Sequence, residues 1–330
     1  MSDPSSLPIQ EPLADSVPSR KRLFREVRER FIEVILLLAA FSAVATTVAV
    51  MLVLITESAH FFEQVPILTF LTGTKWTPLF EDPEYGILPL VSGTLVTTAV
   101  ALSVAVPFGT IAALYLSEFC PPWLREITKP CLELLSGIPT VVYGYFALLA
   151  VTPMLQYLYA FVGEPLHRWS PGIFPEELGG FNMLSAGLVM GIMILPFVSS
   201  VSEDAMRAVP VGLREGSYAM GATRFQTAWS VVFPAAFSGI SAAYILGISR
   251  AVGETMIVAV AAGLQPNLTW NPTDSAATIT AYIVQVSLGD IPHGTLEYQT
   301  IFAAGLMLVM MTLVFNIAGH FLSKRYREVY

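Results

Sequence analysis

Charge is the scarcest commodity in this sequence. Only 13% of its 330 residues are Asp, Glu, Lys or Arg, while 54% are hydrophobic. Soluble domains carry about 25% charged residues, so a water-soluble globule of this length is excluded. Cysteine is nearly absent: Cys120 and Cys131 stand alone, with a Pro-Pro pair and charges between them. That context fits neither a redox pair nor a metal site, which would need more ligands, and the two read as free thiols near a membrane face. The four histidines, His60, His167, His293 and His320, are scattered without metal-ligand spacing. There is no glycine-rich phosphate loop of the Walker type, so ATP is not bound here by that device. No nucleophile stands beside a base, which leaves a hydrolase unsupported. A cleaved signal peptide is not expected either. The first apolar stretch starts only after residue 33 and outruns the roughly 7–15 residues of a signal core.

What is present is long charge-free runs. Residues 34–55, 85–117, 134–163 and 181–202 contain no charge. Residues 225–249 contain none, and that run continues to 263 past only Arg250 and Glu254. Residues 301–322 hold only His320. A bilayer span needs about 20 apolar residues, so six transmembrane helices are expected. Backbone groups in lipid must pair within their own segment, which selects helices. The alternating pattern of a barrel strand is absent. The fold class is therefore all-α and integral to the membrane.

Lysine and arginine set orientation. With a cytoplasmic N-terminus, fourteen of the seventeen fall on the inner side, only Lys75 and Arg168 fall outside, and Arg250 lies within a span. Both termini are thus expected in the cytoplasm. Eleven acids fall on the outer side, giving it a net charge of −9. Such a surface repels a free anion, so an anionic substrate would have to be delivered. The chain divides into a disordered tail (1–18), a basic amphipathic segment on the cytoplasmic face (19–33), a six-span domain (34–323) with its core at 90–320, and a short tail (324–330). Pro107, Gly109, Gly137, Pro139, Gly144, Pro153 and Pro196 punctuate the spans, and broken membrane helices often mark a substrate path.

The largest inner loop, 203–234, is not a plain linker. A helix is expected to start after Pro210, where a missing donor costs little. Glu215, Ala219 and Ala222 share one side of it. Gly221 is expected to end it in the left-handed region, and a second helix is expected from Thr223 to Val232, stopping at Pro234. Glu215-Gly216-Ser217, Gly221, Val231 and Phe233-Pro234 keep the spacing of a known motif. The stretch resembles the "EAA" loop of ABC importer permeases, with small residues for its alanines and apolar ones for its isoleucine and leucine. It also lies between the fourth and fifth of six spans. The resemblance implies the type I ABC importer architecture and a coupling helix that docks on a separate ATPase, with Arg214, Glu215, Gly221, Ala222 and Pro234 in the coupling loop.

Arg250 is expected about 20 Å along the fifth span from its cytoplasmic end. A charge at that depth is costly and by default functional. Glu254, four residues on, would share its face and could pair with it. One reading is an ion pair that only permits insertion. The other is an anion site, since a guanidinium fork suits phosphate oxygens, with Glu254 orienting the arginine or accepting a proton from a monoprotonated phosphate. The stretch Arg250-Ala251-Val252-Gly253-Glu254-Thr255-Met256 resembles the phosphate permeases of the Pst system. So do Ile138-Pro139-Thr140-Val141-Val142-Tyr143-Gly144 and the segment 90–118 with Gly93-Thr94-Leu95 and Val106-Pro107-Phe108-Gly109. The likeness covers about residues 34–325 and is nearest the PstC type. It implies phosphate import across the bacterial inner membrane, with Arg250 and Glu254 in the substrate path. The partners implied are a PstA-like second permease, a PstB-like ATPase dimer that binds the ATP, and a PstS-like phosphate-binding protein. No cofactor, metal or nucleic acid is expected on this chain. Two alternatives stay open: a permease for another oxyanion such as molybdate or sulfate, and a stand-alone ion-coupled carrier, which would not need the coupling loop.

Overall fold

The computed structural model describes residues 19–169, 175, 177–292 and 294–325. The expected disordered tail at 1–18, and all but the first two residues of the tail at 324–330, lie outside the described residues. Among the described residues there is no named strand, and six helical segments are long and apolar enough to cross a membrane: Phe24–Gln64, Leu88–Phe119, Thr140–Phe161, Met183–Arg207, Arg224–Val252 and Leu296–Phe321.

The chain divides into two units at Val53/Leu54. The first helix, α1 (Ser19–Gln64), contains no glycine or proline and runs through that boundary. The basic segment at 19–33 was expected as a separate helix on the membrane surface. The structure has it instead as the uninterrupted beginning of α1, because nothing in the sequence breaks the backbone there. None of residues 24–53 is buried.

The second unit begins at the outer end of α1. Phe61 packs edge-to-face with Phe70 of α2 (Ile67–Thr72) and with Tyr85. Trp76 meets Tyr282 in the same way. The second span is α3 (Leu88–Leu114), extended by a wide π-turn (Tyr115–Phe119). A cytoplasmic helix, α4 (Pro122–Ser136), follows. The third span is α5 (Thr140–Phe146), a π-turn at Ala147–Val151, and α6 (Thr152–Trp169). The charge-free run thus begins inside α4, at Leu134, and the membrane segment only after the Gly137–Pro139 break. The fourth span, α7 (Met183–Arg207), is the most buried and packs along α3. Pro107 and Pro196 lie inside continuous helices rather than ending them, as neighbouring membrane helices allow.

The loop after α7 forms α8 (Val211–Ala219) and α9 (Arg224–Thr227). Helix continues through a π-turn (Ala228–Val232) into α10 (Phe233–Val252), the fifth span. Pro234 does not stop the helix, contrary to expectation. The wide turn just before it relaxes the hydrogen-bond ladder where proline has no donor and crowds the preceding turn. Beyond α10 come the short α11 (Met256–Ala261), α12 (Ile279–Ser287) and the last span, α13 (Leu296–Arg325). α10 and α13 are antiparallel neighbours: Ser323 Oγ donates to the Ser238 carbonyl at 3.2 Å, and Ser249 Oγ to Asn316 Oδ1 at 2.9 Å.

Candidate functional site

The fifth span breaks where a continuous helix was expected. α10 ends at Val252, and Gly253 closes it, its N–H bonded to the Ser249 carbonyl at 3.2 Å. Glu254 sits in the gap. Its Oε1 accepts from the N–H groups of Met256 (3.1 Å) and Ile257 (3.3 Å), two of the orphan donors at the start of α11. Its carbonyl accepts the Thr280 hydroxyl at 2.6 Å. Only 9% of Glu254 is exposed. Arg250 is exposed and makes no ion pair among the described residues. The expected Arg250–Glu254 pairing on one helix face is therefore absent, because the chain leaves helical geometry between them and the carboxylate turns to the α11 backbone.

Depth follows from the neighbour helix. Ser249, adjacent to Arg250, bonds Asn316, which lies eight residues or about 12 Å along α13 from Lys324. Lys324 marks the inner interface, so the site lies near the middle of a core about 30 Å thick.

The other stretches singled out in the sequence converge on this break. α5 crosses α11 at Gly144, where an added Cβ would stand 3.1 Å from the Met256 carbonyl oxygen and 3.3 Å from the Ile257 Cα. Pro139 starts α5, and Tyr143 ties it to α4 by donating its hydroxyl to the Leu135 carbonyl at 2.8 Å. From α3, Thr94 Oγ1 accepts the Ile279 N–H at 3.1 Å and so fixes the start of α12, one residue before the Thr280 that holds Glu254. Thr280 and Asn316 were not found by sequence reasoning; a polar residue in an apolar membrane run was the available signal for Asn316.

The second candidate region is the inner loop. Gly221 adopts φ +85°, the left-handed geometry expected of it, and nothing lies within 4 Å of where its Cβ would be. Thr223 and Gln226 form a reciprocal cap on α9. Glu215 is exposed, and so are Tyr218, Met220 and Phe225. Ala222 and Arg224, with Glu118, Phe119, Cys120 and Tyr218, line a cavity of about 750 Å³. Arg214 points the other way, into the protein. It pairs with Glu118 at the end of the second span through Nη2–Oε1 (3.0 Å) and Nε–Oε2 (3.4 Å), and it donates to the Val209 (2.6 Å) and Met206 (2.9 Å) carbonyls at the end of α7.

A further charge cluster ties α4 to α7. Glu203 is fully buried, 2.7 Å from Arg125 and 2.9 Å from Lys129, which also reaches Asp204 at 2.5 Å. Burial opposes the charge on Lys129, but hydrogen bonds and attraction from Asp204 and Glu203 outweigh it and raise its pKa above the ordinary 10.5. Cys120 and Cys131 are free. Among the described residues no cluster of His, Cys, Asp or Glu could hold a metal ion.

Six membrane-crossing helices, a broken fifth span with a charge at mid-depth, and a helix–glycine–helix loop on the inner side define a multi-pass transport component. A family model described as "Binding-protein-dependent transport system inner membrane component" matches residues 105–328. The chain is 34% identical over 322 residues, 97% of each chain, to the "Probable ABC transporter permease protein YqgH" of Bacillus subtilis. It is 33% identical over 253 residues, 76% of each chain, to the phosphate transport system permease protein PstC of Xylella fastidiosa. It is 34% identical over 283 residues, 78% of this chain and 82% of the other, to PstC 1 of Mycobacterium tuberculosis. A solved bacterial ABC transporter that imports alginate shares the fold at a TM-score of 0.58 and 16% identity, covering 92% of this chain and 99% of that one. The chain belongs to the binding-protein-dependent transport family and is an inner-membrane permease subunit of an ABC importer.

Proposed function

We propose that this subunit conducts inorganic phosphate and that Arg250 is its anion contact. The observation that carries the reading is the position of Arg250: near mid-membrane, exposed, and without an ion pair among the described residues. Lipid would be a costly environment for it, so this face belongs to a path completed by a second, PstA-like permease. A forked guanidinium suits a tetrahedral oxyanion. Relatives named as phosphate permeases at 33–34% identity support phosphate over molybdate or sulfate. Glu254 shapes the break that presents Arg250, and its carboxylate is engaged by the α11 backbone. On the inner side, exposed Glu215 and the Gly221 turn form the face that docks a PstB-like ATPase dimer. ATP binds there and not on this chain, and a PstS-like binding protein brings phosphate past the acidic outer surface.

The test is Arg250→Gln in the assembled transporter. Hydrogen bonds to charged groups contribute about 1.5–3 kcal/mol, so phosphate binding should weaken roughly 10- to 150-fold, with ATPase binding unchanged. Wild-type phosphate uptake in this variant refutes the assignment. Robust uptake of molybdate or sulfate, but not phosphate, by the wild type refutes the substrate.

A further inference from the structure

The inner loop carries a residue that the docking role does not use. Arg214 precedes the exposed Glu215, yet its side chain is only 16% exposed and its Glu118 partner 7%. One guanidinium joins three elements: α8, which bears it; the π-turn at the inner end of the second span, through Glu118; and the inner end of α7, through the Met206 and Val209 carbonyls. These carbonyls lie at and just beyond the end of α7, at the negative end of its dipole, so a cation is favoured there even though Met206 also accepts the Val209 N–H at 3.3 Å. Glu118 is itself held by the Ser117 hydroxyl at 2.8 Å.

α8 has little else to hold it against the membrane domain. None of its residues is buried, and positions 212 and 216 are glycines with nothing within 4 Å of an added Cβ. Its other side-chain tie, Ser217 to Thr227 at 2.9 Å, goes to α9 within the same loop. Two cavities of about 750 and 430 Å³ flank the fork, and Glu118 lines both. Besides the three-residue link 208–210 that joins α8 to α7, a displacement imposed on α8 reaches the second and fourth spans across this bridge.

We propose that Arg214 and Glu118 are positioning residues that convert movement of the coupling helix into movement of the inner ends of the second and fourth spans. Arg214 acts inside the permease and does not touch the ATPase. This rests on the coupling role assigned above to the loop.

The test uses the whole transporter, reconstituted in vesicles with its partner permease, ATPase and binding protein. The readout is radiolabelled phosphate imported per ATP hydrolysed, together with the amount of ATPase retained. Arg214→Gln and Glu118→Gln should each lower that ratio about tenfold, on the scale of one lost charged hydrogen bond, with the ATPase still bound in full. A merely structural role would reduce the quantity of intact complex and leave the ratio unchanged. Should Arg214→Gln fail to assemble, Glu118→Gln, which keeps shape and one acceptor, decides alone. A wild-type ratio in Glu118→Gln overturns the proposal, and so does loss of the ATPase from that variant, which would make this face a docking surface. A wild-type complex that retains no ATPase refutes instead the coupling role itself.

Discussion

Removing the Glu254 carboxylate should destabilise the broken span, whereas neutralising it should not. In Glu254→Ala the Met256 and Ile257 N–H groups lose the oxygen that holds them at 3.1 and 3.3 Å. Loss of a side-chain cap costs about 0.5–2 kcal/mol. A position 9% exposed at membrane depth gives water little chance to substitute, so the cost belongs at the upper end, about 2 kcal/mol, or roughly 30-fold in the folding equilibrium. Glu254→Gln keeps an acceptor oxygen and should cost less than about 1 kcal/mol. Arg250→Gln touches no ion pair, so its stability effect should add to that of Glu254→Gln within about 0.5 kcal/mol. The assay is unfolding of the wild type, the three single variants and the Arg250→Gln/Glu254→Gln double variant in detergent, alongside phosphate uptake in membranes. An ion pair predicts the opposite pattern: a coupling energy of several kcal/mol and recovery of uptake in the double variant. Either result refutes the reading of Glu254 as a backbone cap and of Arg250 as free for substrate.

Gly221→Val should insert and fold but release the ATPase. With nothing within 4 Å of its Cβ, the cost is the backbone strain of φ +85°, about 1–2 kcal/mol, and Gly221→Asn should retain the ATPase in the same co-purification. Glu215→Lys should lose the ATPase with an unchanged unfolding midpoint, since the side chain is exposed. Glu203→Gln removes the buried carboxylate that Arg125 and Lys129 share, while both cations keep some solvent and Lys129 keeps Asp204, and should lower stability by about 1.5–3 kcal/mol. Because the Lys129 pKa is raised in the folded state, its ion pairs contribute fully below pH 10.5 and are lost as pH rises through the folded value. Unfolding followed from about pH 9 to 12 should therefore show an alkaline decline that Lys129→Met flattens, and an unaltered decline in that variant would count against the cluster.

The spans were legible because lipid demands charge-free length, and no folding detail disguises that. Their ends were harder to place. Leu134–Ser136 continue an apolar run, but Gly137 and Pro139 close α4 first, so the run and the helix have different starting points. The break at Gly253 carries no proline, and its cause, a carboxylate satisfied by backbone donors two and three residues ahead, depends on which way one side chain turns. Pro234 was misjudged for a similar reason: the π-turn that accommodates it is a backbone adjustment with no residue signature. Glu118 and Arg214 are 96 residues apart, and nothing in sequence order says they meet. The Glu203 cluster did leave a trace, since Arg125/Lys129 and Glu203/Arg207 are both spaced four apart and so present two charges on one helix face.

The arrangement at the fifth span has a consequence for how one chain carries a buried acid and an intramembrane cation together. Had the helix continued, Glu254 would stand one turn above Arg250 and neutralise it, which would ease insertion and leave the arginine weak toward any anion. By breaking the helix, the sequence satisfies the acid with N–H groups that would otherwise be orphans, and with the positive end of α11. The cation then has no ion-pair partner among the described residues. Exposed on this face and deep in the span, it stays open to a negative group that enters from outside. Under the proposed function that group is phosphate, and an arginine not neutralised by Glu254 keeps its full attraction for the anion, despite an outer surface that repels it.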